Sequence, residues 1–175
     1  HREEEARKVL LHELAHMCGA DARAQLDGDG AGLALRVNGP FRPSEALAET
    51  LAQLLMCEYL AQRSGVPVAT LLETQRAHGL KQAAKWLRWN GMSRVSDLRD
   101  AVITQRTCAL EYYLLRAALF EEAVVRPGNF VGPSPVAAQT CRRVWAQLTM
   151  GNFARQVDTQ HVDSADLSLR MNAFD

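Results

Sequence analysis

The twenty residues "SEALAETLAQLLMCEYLAQR" (44–63) hold no glycine or proline, and Ala46, Leu47, Ala48, Leu51, Ala52, Leu54 and Leu55 leave the helix they form apolar nearly all round. A helix of that kind is stable only when neighbours cover it on most sides. Such a segment is therefore expected to be buried. Ser44 is the expected N-cap, and Gly65 with Pro67 ends the helix. Two carboxylates, Glu45 and Glu49, stand four residues apart in this apolar setting. Buried carboxylates need partners. Without burial, Glu45 is an ordinary first-turn acid interacting with the helix dipole, and Glu49 is a solvated surface residue.

The remaining pattern is also helical. A first helix is expected over Arg2 to Cys18, with Val9, Leu10, Leu14 and Met17 as its core-facing stripe, acids in its first turn and Gly19 as C-cap. Gly28, Gly30, Gly32, Gly39, Pro40 and Pro43 interrupt helical continuity, leaving 33–37 ("LALRV") as one short strand. Further helices are expected at 68–77, 80–89, 96–125 and 134–149, with His78 capping the end of the first of these. The last stretch, 151–175, reads as a polar tail. The fold class is mainly α, one helical domain over 1–175 with at most one short strand. Beginning at His1, the chain reads as a fragment of a longer protein.

Composition removes several functions. With 20 Lys plus Arg against 20 Asp plus Glu, no net field draws the chain to nucleic acid or an anionic membrane. No apolar run reaches the roughly 20 residues that span a bilayer. The cysteines, Cys18, Cys57, Cys108 and Cys141, form no C-x-x-C pair and read as isolated helical thiols, which suits an intracellular, cytoplasmic setting.

The first helix carries "HELAH", with His12 and His16 one turn apart and Glu13 between them. Residues i and i+4 share a helix face, so both imidazoles can meet one ion. Glu13 lies about 100° further round. It can reach a water at that ion without ligating it, which is the geometry of metal-assisted hydrolysis. The bland alternative is a pair of histidines on a partly exposed helix. Tucked into an amphipathic helix, with small or apolar Leu14 and Ala15 at the variable positions, the motif favours a metal site.

This H-E-x-x-H helix resembles that of the zincin metallopeptidases. Their metzincin branch places a glycine three residues after the second histidine, which Gly19 matches, but its third ligand position holds Ala22, and Asp21 is one residue out of register. The gluzincin, or thermolysin-like, branch takes its third ligand from a glutamate on a second helix, and "SEALAET" is similar to that pattern. The resemblance, confined to residues 2–63, implies a zinc ion on His12, His16 and Glu45, with Glu49 hydrogen-bonding a ligating histidine. Glu49 is the alternative ligand, since "ETLAQLLM" also resembles the ligand helix of small intracellular zincins, including those that cleave phage repressors. Glu45 is preferred.

The implied activity is zinc-dependent hydrolysis of peptide bonds in a peptide or protein substrate, with Glu13 as base. His161 is the first choice to stabilise the developing charge, ahead of Tyr112 and Tyr113. Gluzincins place a substrate-binding sheet before the motif helix; here it is reduced to "LALRV", absent, or part of a missing upstream domain. The rival reading is a zincin-derived interaction or scaffold subunit that no longer hydrolyses anything, although an intact Glu13 favours the enzyme. Among lesser features, Asp27 and Asp29 lack the downstream ligands of a calcium loop. Trp86 and Trp89, at i and i+3, suit a core plus interface.

Overall fold

The structure, a computed structural model, describes residues 2–19, 26, 27, 33, 35–130 and 135–163. In chain order these form α1 (Arg2–Met17), β1 (Arg36–Asn38), α2 (Pro43–Ser64), α3 (Val68–Trp89), a 3-10 turn (Val95–Arg99), β2 (Val102–Thr104), a π-helical segment (Glu111–Leu115) running into α4 (Arg116–Val125), a 3-10 turn (Pro127–Phe130), α5 (Pro135–Ala146) and α6 (Gly151–Asp158). The fold is mainly α, as composition and periodicity require.

The all-round apolar helix takes the central place. α2 packs against α1, α3, the π segment and α4. It buries Ala46, Leu47, Leu51, Ala52, Met56 and Cys57 at its contacts. Around it, Trp86, Leu87, Leu114, Leu115, Leu119 and Trp145 complete the core. Burial pushes the Cys57 and Cys141 thiols up to about 12, and all four cysteines are free. No helix of the described residues is long and apolar enough to cross a membrane.

Several expectations are corrected. Ser44 is not the N-cap of α2. Pro43, whose fixed φ suits the first helical position, starts the helix two residues earlier, with Arg42 before it. Asp27 then serves the helix start from outside, accepting from the Ser44 amide at 2.9 Å and from the Ser44 hydroxyl at 2.8 Å. The helix does end at Gly65, whose φ of 72° is the left-handed cap.

α3 runs unbroken through 77–80, so His78 lies in a helix interior and caps nothing. A Cβ on Gly79 would stand 3.7 Å from the Arg116 guanidinium and 3.8 Å from the Ala117 Cβ. Close approach of α4 thus holds the helix together where glycine's propensity alone would interrupt it. The expected helix over 96–125 is divided. Asp97 accepts from the Ser93 and Arg94 amides and fixes a short 3-10 turn, after which the β-branched Val102-Ile103-Thr104 forms a strand.

Among the described residues there are accordingly two short strands, not one. β1 pairs with β2 in parallel, Arg36 opposite Val102 and Asn38 opposite Thr104. Gly39 closes this pair. Its φ is 122°, and any Cβ would lie 2.0 Å from the Gln105 carbonyl oxygen. Within the expected polar tail, 151–158 is helix α6, which buries Ala154 and Val157. Residues 164–175, and Asp21, Ala22 and Asp29, lie outside the described residues.

The largest reversal is in α1. Val9, Leu10, Leu14 and Met17 keep 56%, 59%, 41% and 81% of their surface exposed. The helix turns Lys8, His12 and His16 toward α2 instead, because the buried Glu49 there demands cationic and hydrogen-bonding partners.

Candidate metal centre

Two ladders of i, i+4 residues face each other across the α1–α2 contact: Lys8, His12 and His16 on one helix, Glu45, Glu49 and Gln53 on the other. His12 Nε2 lies 3.0 Å from His16 Nε2 and 3.2 Å from Glu45 Oε2, and His16 Nε2 lies 3.5 Å from the same oxygen. Three donor atoms thus form a nearly equilateral triangle. An ion held tetrahedrally at about 2.0–2.1 Å from nitrogen and oxygen sets its ligand atoms about 3.3–3.4 Å apart. The triangle has that size. His12, His16 and Glu45 form a group that could hold a metal ion.

The imidazole planes meet at 70°, so the two ring nitrogens converge from different directions. The side chains of His12, His16 and Glu45 retain 12%, 21% and 13% of their surface, so the group is largely buried yet still touches solvent.

Behind the triangle is a closed circuit of hydrogen bonds. Glu49 Oε2 lies 3.2 Å from His12 Nδ1, and Glu49 Oε1 receives Lys8 Nζ at 2.5 Å and Gln53 Nε2 at 3.2 Å. The Gln53 carbonyl accepts from Arg116 Nη1 at 2.5 Å, and Arg116 Nε donates to the Tyr112 carbonyl at 2.7 Å. The Tyr112 hydroxyl donates to Glu45 Oε2 at 2.9 Å, returning to the triangle.

Burial works against the Glu49 carboxylate. The His12 hydrogen bond and the charges of Lys8 and Arg116 outweigh it and hold the group below the usual carboxylate range. An ionised carboxylate only accepts, so the His12 ring proton belongs on Nδ1 and the Nε2 lone pair faces the triangle. The Glu49 hydrogen bond raises the His12 pKa against the opposing effect of burial. The Tyr112 phenol is pushed above its ordinary value by burial and by Glu45.

Glu13 is exposed on α1, outside the triangle but near enough for its charge to help raise the His12 pKa. His161 is exposed beyond α6, a helix that packs on α3 and the Val95–Arg99 turn. Tyr112, ranked behind it on sequence, is the residue that touches the cluster. Its neighbour Tyr113 faces a separate cleft. The π segment matters here, because a π turn shifts helical register and is favoured where a side chain must be re-aimed. Glu111, in the same segment, accepts from the Arg42 amide at 2.6 Å and from Gln105 Nε2 at 3.0 Å, tying the segment to the start of α2. Burial pushes its pKa up.

Sequence reasoning passed over Lys8, Gln53 and Arg116. Lys8 and Gln53 each extend an i, i+4 series already recognised, so the helical spacing held the signal. Nothing local marks Arg116.

Comparison with known proteins finds no relative: no family model matches the chain, and no curated protein or solved structure is significantly similar to it. What the fold and site define is a mainly helical protein with a two-imidazole, one-carboxylate group of metal-ligand dimensions at the contact of its first two long helices.

Proposed function

We propose that this chain is a zinc-dependent metallopeptidase in which His12, His16 and Glu45 hold the ion and Glu13 is the general base. The observation that carries the reading is the donor triangle, with edges of 3.0, 3.2 and 3.5 Å. Two imidazoles and a carboxylate are a donor set that suits zinc with one open position. When bound, the ion makes a water acidic near neutral pH and polarises the carbonyl of a peptide bond. Glu13 takes the proton and delivers it to the departing nitrogen. Glu49 keeps the His12 ring from turning, and Tyr112 holds the Glu45 carboxylate in place. The substrate is a peptide or protein segment.

Elemental analysis of protein purified without chelators tests the site. About one zinc per chain is expected, abolished in Glu45→Ala and weakened about 10–100-fold in Glu49→Ala. The reverse order would make Glu49 the ligand, and failure of the wild type to take up zinc would sink the reading. Glu13→Gln should keep the ion and the fold while hydrolysis of a peptide library falls at least about 100-fold. A second reading, an interaction subunit without hydrolysis, is favoured by the exposed Val9, Leu10, Leu14 and Met17 beside Glu13. It predicts that Glu13→Gln has no measurable effect.

A further inference from the structure

A cleft of about 550 Å³ opens between the end of α3, the end of β2 and the π segment. Its volume lies within the range usual for small-molecule sites. Three aromatic side chains wall it: Trp86, Trp89 and Tyr113. Trp86 is 1% exposed and belongs to the core, whereas Trp89, one turn on, keeps 63% of its surface in solvent. An indole left open at the mouth of an aromatic-walled cleft is a stacking face without an occupant from the described residues.

The polar side of the cleft is equally selective. Gln105 lines it but is fully engaged: its amide nitrogen donates to the Pro40 carbonyl and to Glu111, and its oxygen accepts from the Leu110 amide. Arg106 is exposed, and its guanidinium makes no ion pair or hydrogen bond with any described residue. Among the described residues lining the cleft there is no carboxylate. One uncommitted guanidinium beside three rings recognises a planar ring that carries a single anionic group. A guanidinium pairs with a carboxylate through two parallel hydrogen bonds. A phosphate dianion calls for more cations or a converging set of backbone amides than one arginine supplies.

We propose that this cleft is a binding site for an aromatic carboxylate, with the ring against Trp89 and Tyr113 and the carboxylate on Arg106. The chemistry is shared by a small aromatic acid and by the C-terminal aromatic residue of a peptide. The inference is independent of the metal reading, since none of the cleft residues belongs to the donor triangle.

The test titrates the full chain with N-acetyl-L-phenylalanine, following indole fluorescence and, separately, calorimetry. Saturable binding with a Kd under about 1 mM is expected, with Trp89 shielded from iodide quenching. The carboxamide analogue should bind at least tenfold more weakly. Arg106→Gln should lose that same factor toward the acid and no longer distinguish acid from amide. Trp89→Ala should weaken binding by calorimetry several-fold. Both side chains are exposed, so the variants should fold, and far-UV circular dichroism checks this. The acid-to-amide ratio on the wild type is a test that needs no variant. Equal binding of Ala-Ala-Ala-Phe supports the site with a chain terminus as ligand; its exclusion while the small acid binds supports it with a small molecule. No saturation up to about 10 mM, or an amide that binds as well as the acid, overturns the proposal.

Discussion

Replacing Lys8 by methionine removes the ammonium that Glu49 faces while keeping most of the apolar stem. The pair is buried, with Lys8 and Glu49 side chains 9% and 2% exposed and Nζ 2.5 Å from Oε1, so solvent does little to screen it. Breaking a buried ion pair by removing one partner costs about 3–5 kcal/mol, mostly the desolvation of the charge left behind. Glu49 keeps two other supports, His12 and Gln53, and Arg116 stands behind Gln53. The expected loss is therefore at the lower end, about 3 kcal/mol, or a fall in Tm of about 6–12 °C for a chain of this size. Urea unfolding in the presence of a chelator, followed by circular dichroism, measures it without contribution from a bound ion. Lys8→Met combined with Glu49→Gln should cost less than the two single changes added together, by at least about 1.5 kcal/mol. Additivity within about 0.5 kcal/mol would refute the reasoning, since it would mean that Lys8 does not compensate the charge on Glu49.

Gly39→Ala should destabilise by about 2–4 kcal/mol, because it adds a positive φ of 122° to a Cβ only 2.0 Å from the Gln105 carbonyl, and loss of under about 0.5 kcal/mol in urea would contradict the β1–β2 closure. Leu10→Glu should change stability by no more than about 0.5 kcal/mol, since Leu10 is 59% exposed; a loss of about 3 kcal/mol would put the apolar stripe of α1 back in the core.

Much of the site was written in short-range spacing. His12 and His16, and Glu45 and Glu49, each share a helix face because the α-helix repeats every 3.6 residues, and a separate motif names each helix. Which side of α1 faces inward was not readable in the same way. Val9, Leu10, Leu14 and Met17 form a convincing apolar stripe, yet Glu49 on the opposing helix drew Lys8 and His12 inward instead. A periodicity measures one helix, whereas its orientation depends on the charges of its neighbour. Tyr112 was legible only as one candidate among three, because its hydroxyl reaches Glu45 across 67 positions of the chain.

By itself the sequence determined that the chain is helical, that its most apolar helix is buried, and that Gly65 ends that helix. Each of these follows from local backbone preference and burial, which a stretch of residues carries wherever it is placed. Only the tertiary structure decided that α3 continues through Gly79, that Val102-Ile103-Thr104 leaves the helix to pair with β1, and that Arg116 closes the circuit behind the donor triangle. Those outcomes depend on atoms distant in sequence, on the closeness of α4, the availability of a partner strand and the charge of Glu49. No local preference encodes them.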